Sequence, residues 1–197
     1  MHDKLSIPSE VPILLYQGGI QIGRGLEQLI DAMPMIKKGV LVFIEDGKIK
    51  QDLKNQVLKK GLSPRVKFID KVSLNQLHEY TLNAYLGFQM LNNVCYNHYS
   101  ASSNKFFEYM MAGVPVIACD FPEMQKVMNK WHTGLLVDSH SPEAIANAVN
   151  YLIESTKDYQ KMKQNSIKAR DVYNWTNEKK TLVGYYQQLN KTNKVNL

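Results

Sequence analysis

Short apolar segments alternate with amphipathic helical segments along most of this 197-residue chain. The clearest apolar segment, residues 40–44, reads Val-Leu-Val-Phe-Ile without interruption, which is typical of a parallel strand covered on both faces. Repeated strand–helix units of about 20–30 residues favour a parallel sheet with helices on both faces. The sequence therefore predicts an α/β, Rossmann-like fold, in which ligands bind at the carboxyl ends of the strands.

The alternation divides the chain into four parts. We predict an extended linker over 1–11, a Rossmann-like domain over 12–155, a helical extension over 156–189 with a break near 174–175, and a flexible tail over 190–197. Strands are predicted at 12–17, 40–44, 66–69, 84–90, 116–118 and 134–137. Helices are predicted around 26–33, over 51–60, after a capping box at 73–76, over 106–111, over 123–130 and over 141–154.

Composition excludes several classes of protein. An apolar content of 44% is enough for a full core, and no apolar run approaches the roughly 20 residues that span a bilayer. The first residues lack the basic-then-apolar pattern of a signal peptide. The two cysteines, Cys95 and Cys119, form no disulfide framework and are expected to be buried thiols. We therefore expect a cytoplasmic protein.

The chain carries a formal net charge of +6. Its lysines are spread along the predicted helices, with no run of five or six basic residues and no pattern of interleaved aromatic and basic residues. Solvated helix faces explain this charge better than a nucleic-acid partner, which we do not expect. Contact with an anionic membrane surface is the more specific alternative.

Residues 102–118 form the most informative stretch of the sequence. A polar loop, Ser102-Ser103-Asn104, leads into a short helix, which a Gly-Val-Pro turn and a buried strand follow. The start of such a helix offers free N–H groups and the positive end of its dipole to a phosphate. Glu108, about one turn further on, can accept hydrogen bonds from sugar hydroxyls. Together these features predict a pocket for a nucleoside diphosphate.

Two loops after other strands face the same predicted edge of the sheet. Gly18 and Gly19 follow the first strand and would let a phosphate approach the backbone, while Arg24 would supply positive charge. A purely structural turn with a solvated Arg24 is the alternative. Asp70 and Val72 follow the third strand, where backbone groups could face a nucleobase.

Other candidate residues have weaker support. Glu45 follows the second strand, where a dehydrogenase would place the acid that binds the adenosine ribose, but an ordinary turn explains it equally well. The long loop 91–103 contains His98, which we expect to be an exposed loop histidine rather than a catalytic one. The histidines show no spacing typical of metal ligands.

Three segments together resemble a known family. They are Leu-Tyr-Gln-Gly-Gly at 15–19 with Arg24-Gly25, the whole of 104–118, and Gly-Leu-Leu-Val-Asp at 134–138 followed by Pro142-Glu143. In this order they resemble the C-terminal, donor-binding domain of GT-B retaining glycosyltransferases, the glycosyl transferases group 1 family. The resemblance runs from about residue 13 to about residue 186 and implies a nucleotide-sugar as the donor.

The resemblance implies roles for the residues already named. Glu108 would bind the ribose hydroxyls, and Arg24 with Lys105 would neutralise the diphosphate as it leaves. Gly18 and Gly19 would admit the donor, while Ser102, Ser103 and Asn104 would bind phosphate or sugar. No metal and no cofactor are implied beyond the nucleotide-sugar itself. A hexose-type sugar would pass to a glycan or a lipid-linked acceptor, as in the synthesis of cell-surface polysaccharide.

The sequence departs from the family's pattern in three ways. Many members carry an acid eight residues before the ribose glutamate, where this chain has Ser100, so its contacts with the sugar should differ. Many carry an arginine where this chain has Gly19, so the phosphate charge would fall on Arg24 and Lys105. By this resemblance we expect the chain to lack the family's N-terminal acceptor-binding domain, and so to bind nucleotide without detectable transfer. The last helix, which would normally reach that domain, should either dock elsewhere or expose apolar residues such as Leu182 and Tyr186.

Other functions remain open at this point. The chain could be half of a nucleotide-sugar epimerase, although catalytic acids and histidines for that reaction are not placed. It could be an NAD-binding domain that uses Glu45 on the ribose. It could also be a degenerate, non-catalytic module that binds a partner, a reading to which Ser100 and Gly19 lend some support.

Overall fold

A computed structural model describes the backbone of residues 1–195 and the side chains as far as Leu189. Six strands form one sheet, and every neighbouring pair is parallel. The strand order is β3-β2-β1-β4-β5-β6, which confirms the predicted Rossmann-like fold. The strands are β1 (Ile13–Gln17), β2 (Val40–Ile44), β3 (Val66–Ile69), β4 (Leu86–Gln89), β5 (Val116–Cys119) and β6 (Gly134–Val137).

Helices connect the strands and continue after the sheet. In chain order they are α1 (His2–Leu5), α2 (Leu26–Ala32), α3 (Lys50–Lys59), α4 (Leu74–Leu82), α5 (Tyr96–Tyr99), α6 (Asn104–Met111), α7 (Pro122–Trp131), α8 (Pro142–Glu154), α9 (Thr156–Arg170) and α10 (Trp175–Val195). A 3₁₀ turn at Met33–Met35 extends α2. Among the described residues, no helix is both long and apolar enough to cross a membrane.

Two apolar cores lie on opposite faces of the sheet. Leu14 and Tyr16 of β1 belong to the core that includes residues of α2 and α8, whereas Leu15 belongs to the core that includes residues of α6 and α7. All five residues of β2 are buried, because successive side chains enter opposite cores. The uninterrupted apolar run at 40–44 is therefore explained by burial on both faces.

The central strands β1 and β4 separate at their carboxyl ends. Their pairing covers only Leu14 with Leu86 and Leu15 with Gly87. Beyond that point the Tyr109 hydroxyl of α6 accepts a hydrogen bond from the Gln17 N–H, at 3.1 Å, and donates one to the Leu15 carbonyl, at 3.0 Å. The Tyr109 ring passes over Gly87, where a Cβ atom would lie 2.5 Å from the ring. At the carboxyl end of β1, the Tyr109 hydroxyl thus makes the two hydrogen bonds that a paired strand would otherwise make.

Several element boundaries differ from the sequence predictions. The predicted linker 1–11 contains α1, and Ile7 is buried against the core beneath α6. The predicted loop 91–103 contains α5, and α6 begins at Asn104 rather than Phe106 because Ser103 has the extended backbone of an N-cap. The fourth strand shortens to Leu86–Gln89, since the Ala84 N–H still donates to the Thr81 carbonyl at the end of α4.

Two further expectations concern exposure and the end of the chain. Cys119 is buried as expected, but Cys95 is exposed, because it stands at the N-terminus of α5 on the surface loop. The break predicted near 174–175 lies between α9 and α10. Helix α10 continues past residue 190, where the flexible tail was predicted to begin, and residues 196–197 lie outside the described residues.

Replacing Tyr109 with phenylalanine tests the opening between β1 and β4. The Tyr109→Phe change leaves the buried Gln17 N–H and Leu15 carbonyl without their partner. We expect the free energy of unfolding to fall by about 1–3 kcal/mol, measured by urea denaturation. Tyr186→Phe is the matched control, because Tyr186 is exposed on α10 and should change stability by less than about 0.5 kcal/mol. Equal effects of the two substitutions would contradict this account.

Candidate functional site

The candidate site lies at the carboxyl ends of β1 and β4, beside the N-terminus of α6. Gly18 follows β1 with a φ of +111°, a conformation that L side chains rarely adopt. A Cβ atom on Gly18 would lie 3.0 Å from both Cε and Nζ of Lys105. The glycine is therefore needed both for the turn and for the close approach of the lysine.

Lys105 is buried beneath the glycine-rich segment 18–25 that follows β1, hereafter the glycine turn. Its Nζ donates a hydrogen bond to the Tyr16 hydroxyl at 2.8 Å and lies 4.0 Å from the centroid of the Tyr16 ring. Burial, and after it the positive charge of Arg24, lower the pKa of Lys105 to about 7. The carboxylate of Glu108 acts in the opposite direction with a smaller effect on this pKa. Near neutral pH, Lys105 thus lies close to its point of half-protonation.

Arg24 lies close to Lys105 and, within the described part of the chain, forms no ion pair. Its Nε atom is buried and has no hydrogen-bond partner among the described residues. Two cations held near each other repel, and a buried donor without a partner costs free energy. Both costs would be removed by an anion bound at this position.

Glu108 lies one turn into α6 and lines a cavity of about 590 Å³. Its Oε2 atom accepts a hydrogen bond of 2.6 Å from Nε2 of Gln17, the last residue of β1. Gln17 was not among the predicted site residues, because its partner Glu108 lies 91 residues away in the sequence. The cavity is lined by Gln17, Leu74, Leu77, His78, Thr81, Asn104, Phe107, Glu108, Met111, Tyr173, Asn174 and Trp175.

The polar residues at and before the start of α6 are placed in different surroundings. Asn104 lines the Glu108 cavity, and Ser102 lines a neighbouring cavity of about 410 Å³. Ser103 is the N-cap of α6 but makes no hydrogen bond with its side chain to the helix. Ser100 is exposed and donates to the Tyr96 carbonyl at 2.9 Å, outside the Glu108 cavity. Of the four, only Asn104 lines the same cavity as Glu108.

Asp70 and Val72 lie outside this cavity. The Asp70 carboxylate forms an ion pair of 2.6 Å with Lys50, which also pairs with Asp46 at 2.5 Å. Val72 is partly buried and packs against the core beneath α6. Glu45, the ribose ligand of the NAD-binding alternative, lies 3.9 Å from the ammonium of Lys71. The acids after β2 and β3 thus have local cationic partners.

The loop that follows β4 packs against the glycine turn. Asn92 donates its backbone N–H to the Gly23 carbonyl at 2.8 Å, and Nδ1 of His98 lies 3.2 Å from the Asn92 carbonyl. His98 is half-buried, so the expectation of an exposed loop histidine was wrong; its ring packs where a Cβ on Gly23 would lie. Within the described residues, no three His, Cys, Asp or Glu side chains are grouped as a metal site requires.

Comparisons with solved structures agree with this architecture. A sucrose-phosphate synthase from Thermosynechococcus elongatus superposes with a TM-score of 0.86 and 25% identity, over 97% of this chain and 48% of that chain. The C-terminal domain of a glycosyl transferase group 1 family protein from Francisella tularensis superposes with a TM-score of 0.69 and 20% identity, over 86% of this chain and 87% of that one. The chain thus has the fold of the C-terminal half of a GT-B glycosyltransferase.

Sequence comparisons identify the family. A D-inositol 3-phosphate glycosyltransferase from a Nocardioides strain is 22% identical over 204 residues, which cover 94% of this chain and 43% of that relative. This chain therefore spans less than half the length of the curated relative that it matches. The family model described as glycosyl transferases group 1 matches residues 1–169. The chain belongs to the glycosyl transferases group 1 family.

Proposed function

We propose that this chain is the donor-binding domain of a retaining glycosyltransferase that moves a hexose-type sugar from a nucleoside diphosphate. The observation that carries the proposal is the neighbouring pair of cations, Arg24 and Lys105, beside the glycine turn. The N-terminus of α6 adds the positive end of a helix dipole. An anionic diphosphate would relieve the repulsion between the cations and pair with the buried Arg24 Nε.

The ribose would lie beside Glu108 in this proposal. The carboxylate faces a cavity next to the start of α6, about one helical turn from the proposed diphosphate site. A carboxylate accepts hydrogen bonds without donating any, which suits the two hydroxyls of a ribose. Apolar and aromatic side chains, among them Leu74 and Phe107, line the same cavity and could contact a nucleobase.

Catalysis would then consist of stabilising the leaving group. As the glycosidic bond breaks, negative charge grows on the departing diphosphate while the sugar becomes positively charged. Arg24, Lys105 and the α6 dipole would stabilise that negative charge. We propose that these groups serve without a metal or a cofactor, and that Asp70, Val72, Ser100, Ser102 and Ser103 have at most supporting contacts with the donor.

The structural relatives support a nucleotide-sugar as donor. Anabaena HepE, solved in complex with UDP and glucose, superposes with a TM-score of 0.77 at 17% identity. WaaG, a glycosyltransferase involved in lipopolysaccharide biosynthesis, superposes with a TM-score of 0.71 at 18% identity. We propose a glycan or lipid-linked acceptor for this chain, and a role in making cell-surface polysaccharide.

We also propose a cytoplasmic position with peripheral membrane contact. One face of helix α9 exposes three lysines that could face anionic lipids, namely Lys157, Lys161 and Lys168. We further propose that an N-terminal, acceptor-binding domain completes the enzyme, since the chain covers 48–51% of several larger structural relatives. The chain alone would bind the donor but would not transfer the sugar at a detectable rate.

Isothermal titration calorimetry tests the proposed function most simply. The purified chain is titrated with UDP, GDP and ADP and with UDP-glucose and GDP-mannose, and NADH fluorescence is followed in parallel. We expect one nucleoside diphosphate and the corresponding nucleotide-sugar to bind, and NADH not to bind. Failure of all five ligands to bind at millimolar concentration would refute the proposal, and selective binding of NADH would favour the dinucleotide alternative.

Replacing Glu108 with alanine tests the ribose assignment. We expect Glu108→Ala to weaken nucleoside-diphosphate binding by about 1–3 kcal/mol, or about 5- to 150-fold in Kd, because hydrogen bonds to a charged group are lost. Glu79→Ala is the control, since Glu79 is exposed on α4 and lies outside the Glu108 cavity. An unchanged affinity in Glu108→Ala would remove the ribose assignment.

The lowered pKa of Lys105 predicts a dependence of affinity on pH. A bound diphosphate favours the protonated lysine and raises its pKa above about 7, so binding takes up a proton. Affinity should therefore fall as pH rises from 7 to 8.5, by at most about tenfold per pH unit. The Lys105→Met variant should lose this dependence, whereas Lys126→Met, which alters an exposed lysine, should keep it. Identical pH profiles for wild type and Lys105→Met would contradict the prediction.

A further inference from the structure

A chain of hydrogen bonds runs from helix α4 through strand β1 to Glu108. Gln17, whose exposed fraction is 1%, donates from Nε2 to Oε2 of Glu108 at 2.6 Å. On its other side, Oε1 of Gln17 accepts from the Thr81 hydroxyl at 2.8 Å. Thr81 is also 1% exposed and belongs to α4, which lines the cavity together with α6. Three elements are thus connected through one buried amide.

The direction of this chain follows from the chemistry of its members. An ionised carboxylate only accepts hydrogen bonds, so the amide nitrogen of Gln17 must face Glu108. The amide oxygen then faces the Thr81 hydroxyl, whose single proton is shared between this oxygen and the Leu77 carbonyl, each 2.8 Å away. The opposite orientation of the amide would bring two acceptor oxygens to 2.6 Å. The carboxylate thus sets which way the amide faces, the amide holds one oxygen of Glu108, and the Thr81 hydroxyl holds the other end of the amide.

The second oxygen of Glu108 remains available to a ligand. Among the described residues, only Oε2 of this carboxylate receives a hydrogen bond from a side chain. Glu108 is half-buried and lines the cavity together with Gln17 and Thr81. A side chain that is already held in its binding geometry loses less conformational entropy when a ligand binds.

We propose that Gln17 and Thr81 are positioning residues that orient the Glu108 carboxylate for the ribose diol of the donor. The inference rests on the proposed function, because it assumes that a nucleoside diphosphate binds beside Glu108. It adds that recognition of the ribose depends on α4, which supplies the hydroxyl at the far end of the chain. Neither Gln17 nor Thr81 has to touch the nucleotide for this role.

The test compares nucleotides with and without the ribose diol. Dissociation constants are measured by calorimetry for UDP, GDP and ADP and for the 2′,3′-dideoxy analogue of each. The ratio of the two constants for the nucleotide that binds reports the contribution of the diol. The variants are Thr81→Val, which keeps the shape but removes the hydroxyl, and Gln17→Met, which removes the amide. The control is Thr81→Ser, which keeps the hydroxyl and removes only a methyl group.

We expect the wild type to prefer the diol, and Thr81→Val and Gln17→Met to reduce that preference by about three- to tenfold, the scale of one side chain's loss of freedom. Affinity for the dideoxy analogue should stay within about twofold of the wild type, as the diphosphate contacts are kept. Thr81→Ser should retain the wild-type preference. If Gln17→Met does not fold, the Thr81→Val and Thr81→Ser pair decides the question.

Three outcomes would overturn the inference. An unchanged diol preference in Thr81→Val would show that the hydroxyl does not act through Glu108. An equal loss of affinity for both nucleotides would indicate general damage to the fold rather than positioning. A wild type that binds both nucleotides equally would refute the inference but leave the diphosphate site intact, whereas a wild type that binds none of them would refute the proposed function itself.

Discussion

The insertion of the Tyr109 hydroxyl between β1 and β4 is the contact on which the rest of this site depends. Where the two strands separate, the hydroxyl satisfies the N–H of Gln17 and the carbonyl of Leu15, so the sheet can open without losing buried hydrogen bonds. The ring fits only because Gly87 has no side chain. This opening places the end of β1 next to α6, and so brings Gln17 within 2.6 Å of Glu108.

The same opening explains how positive charge is concentrated at one edge of the sheet. Lys105 reaches beneath the glycine turn because α6 starts beside the end of β1. Its ammonium group donates a hydrogen bond to the Tyr16 hydroxyl. Burying an ammonium group near Arg24 is costly, and the lowered pKa of Lys105 expresses that cost. A diphosphate would offset it, which is why the proposed function follows from electrostatics as well as from family membership.

Much of the fold could be predicted from sequence, because apolar runs such as 40–44 report burial on both faces directly. Glu108 was singled out because a lone carboxylate stands among aromatic and sulfur side chains on a short helix, and Arg24 because a basic residue follows a glycine-rich turn. Gln17 and Thr81 were not, since their roles depend on the contact of three elements that are 64 and 91 residues apart in sequence. The partial burial of His98 was missed for a similar reason, because its ring packs against Gly23, which lies far earlier in the sequence.

A crystal structure of this chain with a nucleoside diphosphate tests the central claim most directly. The crystals would be soaked with UDP, GDP or ADP, chosen by the titrations. The account predicts a diphosphate between the glycine turn and the N-terminus of α6, close to Arg24, with the ribose hydroxyls on the Glu108 carboxylate. A nucleotide bound elsewhere, for example with its ribose on Glu45, or one that leaves Glu108 without a contact, would contradict it.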